Sequence, residues 1–279
     1  MKGICAVLIF FISVMGIQAQ DGNGSMYEDG QVKSSKRPPN ESHIMYKKTI
    51  IRAVDLREKQ NKPMFSQNRE ITKILIDGVK EGIISAYKND SLNPDQKLSY
   101  QDLREKTIIP SSEPEYSEEE KEIMLEMGDS TFLHTAGPEY YFPSDLYQIE
   151  IQEVLLFDKQ KSVSKSEIIS ITIFIPSDHP MNVKGILEPV ASFDYKELVE
   201  KLFKDNQDAI WFNPQNEAQN KNLADAFELR LFNSYIVRVS NPKGAYLVDM
   251  YGGDQKKGIK AAIWAKHELL EAEQNLWER

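Results

Sequence analysis

Two stretches of strict alternation constrain the fold of this chain more than anything else in it. In residues 146–157 (LYQIEIQEVLLF), Ile149 and Ile151 alternate with Glu150 and Gln152. In residues 167–175 (EIISITIFI), Ile169, Ile171, Ile173 and Ile175 repeat the pattern. A period of two puts the apolar side chains on one face of an extended strand. The polar segment 158–166 (DKQKSVSKS) joins the two, and Pro143 and Pro176 bracket them. The unit therefore reads as an antiparallel hairpin with a long exposed loop.

Helical periodicity surrounds it. Ile71, Ile74, Leu75, Val79 and Ile83 share one helical face, with Ser66 placed as N-cap and Gly82 where a C-cap glycine sits. Gly78 inside that helix implies close packing, because glycine lowers helix propensity. Asp194 and Glu197 have capping-box spacing ahead of Leu198, Val199, Leu202 and Phe203. A further helix runs through Leu223, Ala224, Phe227 and Leu231, and residues 235–239 (YIVRV) alternate like a strand. From about Lys256, Ala262, Leu269 and Leu276 repeat every seven residues, as do Ile263, Leu270 and Trp277. The two rows are adjacent and predict a closing amphipathic helix with a broad apolar face. The fold class is α+β: an antiparallel hairpin-based sheet with about four helices.

The first residues have the pattern of a targeting segment. Lys2, the apolar run 4–17 and Ala19 form a cleavable signal peptide over 1–19, too short to span a bilayer comfortably. Residues 20–44 are Gly, Ser, Pro and charge without apolar period, a disordered N-terminal tether. One α+β domain is expected over 45–279, with a polar insert at about 88–130. The acidic run in that insert (Glu113, Glu115, Glu118, Glu119, Glu120, Glu122) lacks the ligand spacing of a calcium loop and reads as a solvated linker with a short helix.

Composition narrows the function. With 34 Lys+Arg against 43 Asp+Glu the net charge is −9, which argues against a nucleic-acid partner. The single Cys, Cys5, lies in the targeting segment, so the exported chain has no thiol chemistry and no disulfide. The four His (His43, His134, His179, His267) show no metal-ligand spacing. No GxSxG turn is present, and Gly252-Gly253 lacks the context of a phosphate loop. No catalytic, cofactor-binding or metal residue is assigned. A secreted carboxylate-pair hydrolase and a periplasmic ligand binder stand as alternatives, because acid pairs arise easily among 43 acids and a pocket has no sequence signature. Tyr140-Tyr141-Phe142, Trp211-Phe212, Trp264 and Trp277 are aromatics in polar contexts, the residue types that anchor interfaces, with at least half of them expected in the core.

Four elements, in order, carry a family resemblance: residues 55–65 (DLREKQNKPMF), 157–165 (FDKQKSVSK), 224–240 (ADAFELRLFNSYIVRVS) and 258–278 (GIKAAIWAKHELLEAEQNLWE). Together they resemble the GldN/PorN family of gliding-motility and type IX secretion proteins, over about residues 45–279. Ser166-Glu167-Ile168-Ile169-Ser170-Ile171, Leu155-Leu156 and Gln274-Asn275 depart from the family pattern and mark a divergent paralogue. The resemblance implies a periplasmic, non-enzymatic structural subunit without cofactor. It implies a ring built with a GldK/PorK-like outer-membrane lipoprotein, self-assembly within that ring, and contact with a GldM/PorM-like periplasmic arm. The expected partner contacts are the hairpin tip (Asp158, Lys159, Gln160, Lys161), then Trp264, Leu276 and Trp277. Asp90-Ser91-Leu92 and Asp129-Ser130-Thr131 also resemble the short O-glycosylation signal of bacteria with this secretion system.

Overall fold

The computed structural model describes residues 27–28, 31–32, 41–88, 92–110, 138–204 and 206–277. The expected signal peptide, most of the expected tether, the acidic run 113–122, His134, and Asp90-Ser91 and Asp129-Ser130-Thr131 of the expected glycosylation signals lie outside the described residues.

The main sheet joins β1 (Ile44–Asp55), β2 (Ala86–Tyr87), β3 (Lys97–Leu98), β4 (Gln148–Asp158), β5 (Val163–Ile175), β6 (Glu188–Asp194) and β7 (Tyr235–Val239). Their order is β7–β1–β4–β5–β6–β2–β3. Every neighbouring pair is antiparallel. The fold is α+β with a hairpin-based antiparallel sheet, as the alternation predicts.

The β4–β5 hairpin is longer, and its loop shorter, than the polar segment 158–166 implied. Val163, Ser164, Lys165 and Ser166 pair with Asp158, Phe157, Leu156 and Leu155, leaving only residues 159–162 to turn. The Asp158 carboxylate closes the turn by accepting from the backbone N–H of Gln160 (2.9 Å) and Lys161 (3.3 Å). Ser162 supplies a positive φ of 47°. Polar residues extend a strand as well as apolar ones where their faces meet no core.

Rows across the strands define the core face. Val54, Ile149, Ile173 and Ala191 are directly opposed in sequence across β1, β4, β5 and β6, and Ile151, Ile171 and Phe193 form the next row. Onto this face pack α1 (Ile71–Lys80), α3 (Tyr195–Glu197, widening into a π-helical turn over Leu198–Phe203) and α4 (Leu223–Glu228). The Phe203 and Phe227 rings stack at 6.5 Å, and Tyr195 meets Phe227 edge-on at 6.0 Å.

Several local expectations change. Ser66 does not cap α1: it pairs with Arg69 in a small hairpin whose turn uses Asn68 at φ 65°, so the helix starts at Ile71. The other end is as expected. Gly82, at φ 71°, donates to Val79 O, and Ile83 donates to Gly78 O, which is a Schellman closure. A Cβ on Gly78 would lie 2.9 Å from Leu202 Cδ1, so this glycine admits α3. Asp194 caps α3 by accepting from Lys196 N–H (3.1 Å). Glu197 does not complete the box. It accepts instead from Ser85 N–H (3.2 Å) and Lys201 Nζ (2.8 Å). The beginning of the polar insert is also more than a solvated linker: it supplies β3 and α2 (Tyr100–Lys106), whose Leu103 is buried in the core.

The closing helix is rotated from its predicted packing. α5 (Leu247–Met250) and α6 (Gln255–Trp277) form a pair in which Gly258, Ala261 and Ala265 are buried. A Cβ on Gly258 would lie 2.5 Å from Val248 Cγ2, so close approach selects the small residues. Ala262 and Leu269 are half-buried, whereas Ile263 and Leu270 of the second row are exposed.

At the middle of the hairpin, register shifts between Gln152 and Glu153, and Ile169 has no opposed partner. Glu153 is fully buried there. Its carboxylate pairs with Arg52 of β1 and with Arg230, and accepts from Ser166 Oγ (2.9 Å). Burial opposes its ionisation, but the charges and hydrogen bonds of Arg52 and Arg230 prevail and hold its pKa below the ordinary value. A group with a depressed folded pKa stabilises above its unfolded pKa and loses that contribution as pH falls. Glu153→Gln should therefore cost about 2–4 kcal/mol at neutral pH, less than a fully buried pair because both arginines reach solvent. Denaturant melts at neutral pH and well below pH ~4 should show the difference between wild type and variant shrinking at the acid end.

Candidate partner-binding surfaces

The first family-like element lies at the end of β1 and fastens it. The buried Asn61 side chain donates to Asp55 O (2.7 Å) and Asn233 O (3.1 Å) and accepts from Asn233 N–H (2.7 Å). Asn233 Nδ2 donates to Glu58 (2.8 Å). Pro63 and Met64 enter the core. The first and third family-like elements are thus tied together by paired amide bonds between distant parts of the chain.

Beside them Arg57 pairs with Asp55 (2.7 Å) and Asp178 (3.1 Å), and its guanidinium lies 3.7 Å from the centroid of the Tyr147 ring. Tyr147 donates its hydroxyl to Asp178 (2.8 Å). Burial, then that hydrogen bond, pushes the Tyr147 hydroxyl up to about 12, against the charge of Arg57. These carboxylates each hold a fixed cation or donor, which is how a loop is clamped.

The clamped loop is 176–187. Asn182 Nδ2 donates to Pro176 O (2.9 Å) and Ile186 O (2.8 Å), Gly185 N–H donates to Asn182 Oδ1 (3.1 Å), and Tyr141 donates to Met181 O (3.0 Å). Yet Val183 is 77% exposed, and Met181, Ile186 and Leu187 are exposed as well. Neighbouring Phe142 is also exposed, while Tyr141 is buried. A rigid loop presenting apolar side chains to water has the character of a contact surface. Sequence reading passed over it because the segment has no period; only the exposure of its side chains in the folded chain reveals it.

The opposite end of the hairpin carries the sequence-predicted residues. Asp158 is buried and serves the turn, while Lys159, Gln160 and Lys161 are exposed. Trp264 is 74% exposed on α6, near exposed Ile259 and Ile263. Leu276 is half-buried and lines a shallow groove of about 150 Å³ with Tyr46, Leu155, Phe157, Leu269 and Leu270. Trp277 ends α6, and its side chain lies outside the described residues. The second and fourth family-like elements therefore meet in this groove, whereas Trp264 sits about 18 Å from Leu276 along the helix. Trp211, another aromatic singled out in the sequence, packs against the core.

Among the described residues no three His, Cys, Asp or Glu side chains come together to hold a metal ion, and no helix is long and apolar enough to cross a membrane. The groove and a second depression of about 170 Å³ beside β7 are smaller than the ~300–1,000 Å³ of small-molecule sites.

Fold and surfaces define an α+β protein that exposes apolar and charged side chains in separate places. Residues 39–278 match the family model described as gliding motility associated protein GldN, and the chain belongs to the GldN family. It is a component of the gliding-motility and type IX secretion machinery, in a family of structural parts. No curated protein matches the chain with significance.

The amide ladder at Asn61 is testable. Asn61→Ala removes the side-chain partner of the Asn233 N–H and carbonyl and leaves the Asp55 carbonyl with the Glu58 N–H alone (3.3 Å), at about 1–3 kcal/mol for each group left unpaired. Thermal unfolding should show a loss of about 2–4 kcal/mol, while Trp264→Ala should stay within about 0.5 kcal/mol as a surface change.

Proposed function

We propose that the chain is a non-enzymatic periplasmic subunit, exported by its cleavable signal peptide. It assembles into a ring with a GldK-like outer-membrane lipoprotein and with further copies of itself, and it contacts a GldM-like motor arm. The observation that carries this reading is the placing of contact features at both ends of one hairpin. The 176–187 loop follows one end of β5, and the hairpin turn with α6 and its groove occupies the other, about 40 Å away. A subunit that joins different neighbours needs separate surfaces held at fixed distance, and heterologous contacts of this kind build a ring where the rotation between neighbours closes. Lys159, Gln160, Lys161, Leu276 and Trp277 are assigned to the hairpin end, with Asp158 holding the turn that presents the lysines, and Trp264 to the exposed side of α6 further along the helix. Membership of the GldN family supports the setting.

Affinity purification of the tagged full chain from native membranes, with mass spectrometry, tests the reading. Wild type should recover a GldK-like lipoprotein. Trp264→Ala and Val183→Ser should each keep the melting temperature and lower that recovery or the size of the assembly. Failure of the wild type to retain any envelope lipoprotein would overturn the proposal.

A further inference from the structure

We infer that the hairpin end of the sheet is also a binding surface for anionic phospholipid headgroups. Lys47, Leu156 and Lys165 stand in one row across β1, β4 and β5, so both lysines project from the same face with Leu156 between them. Two rows outward, on the same face, stands Val163, and the turn beyond it carries Lys159 and Lys161. None of these four lysines has an ion-pair partner among the described residues. The acid within the turn, Asp158, is buried and occupied by backbone N–H groups. Glu167, opposite Val154, lies two rows further in on the same face and is half-buried.

In a chain of net charge −9 this is a local reversal of sign. The acids elsewhere do not cancel it at a planar surface, because beyond about 8 Å charges are screened at physiological ionic strength. The cluster is all lysine. Lysine is a flexible point charge, suited to a fluid array of phosphates, whereas fixed carboxylates favour the planar fork of arginine. Two apolar side chains stand exposed among the lysines: Val163, and Met45 at the register shift of β1. A basic patch with a shallow apolar insertion is the pair of weak signals that together hold a protein at a lipid surface. This inference goes beyond the assembly reading and needs no protein partner.

The test is co-sedimentation of the purified full chain with vesicles of phosphatidylglycerol and phosphatidylcholine, and with phosphatidylcholine alone. Binding is expected only to the anionic vesicles, and it should disappear at about 0.5 M salt. Replacing Lys47, Lys159, Lys161 and Lys165 by Gln should weaken partition at least tenfold with an unchanged circular dichroism melt. Removing the same charge elsewhere, with Lys80→Gln, Lys204→Gln, Lys243→Gln and Lys256→Gln, should leave it within about twofold. If the fourfold hairpin variant misfolds, Lys159→Gln with Lys161→Gln alters only the exposed turn and should still weaken partition several-fold. Absence of anionic-vesicle binding would overturn the inference, as would equal losses in the hairpin and remote variants. Loss of an acidic protein from native purifications of the hairpin variant, without any vesicle binding by wild type, would assign the patch to a protein instead.

Discussion

The buried carboxylate of Glu153 is the point on which the two halves of the sheet depend. Toward one end of the hairpin, the face of β4 packs on α1, α3 and α4; toward the other, Leu155 and Phe157 meet α6. Glu153 sits between them at the register shift, held by Arg52 from β1, by Arg230 and by Ser166 from β5. A buried ion pair adds little net stability, but breaking it is costly. It therefore penalises any slip of these strands that would separate the partners. Arg230 reaches the carboxylate from a left-handed residue just past α4, at φ 54°, a conformation where glycine would be the easier choice. The charge explains why arginine stands there.

Around this centre, the four family-like elements resolve into two pairs. The Asn61–Asn233 amides join the first and third, and the groove between the hairpin and α6 joins the second and fourth. Most of what marks the family in the sequence is thus the fastening of a scaffold. The surfaces that face outward, such as Val183, Ile186 and Trp264, are supported by that scaffold without being part of its core. A structural component of an envelope machine needs this division, since its contacts must be presented at fixed spacing.

Much of the fold was legible because it rests on local periodicity and local turn chemistry. The strands around Ile149, Ile151, Ile171 and Ile173, the glycine closure at Gly82 and the strand at 235–239 follow from alternation and from the φ that only certain residues tolerate. The misreadings have a common cause. Ser66, Glu197 and the Ile263/Leu270 row each had a sound local assignment, and each was overridden by a partner distant in sequence or by packing. Arg69 pairs with Ser66 across a turn, Ser85 N–H draws Glu197 away, and the close approach of Val248 to Gly258 turns α6 onto its small residues.

By itself the sequence determined the fold class, the hairpin, the closing helix and the family, since each is written in short-range pattern or in the order of motifs. Only the tertiary structure decided which of those residues face water. Exposure depends on what the rest of the chain brings near. Leu276 and Ile263 both stand in the heptad rows of α6, yet one lines a groove with Phe157 and the other stands in solvent. The loop 176–187 and the row of Lys47 with Lys165 have no sequence signature, because their meaning comes from strand register and from long-range hydrogen bonds that no local window contains.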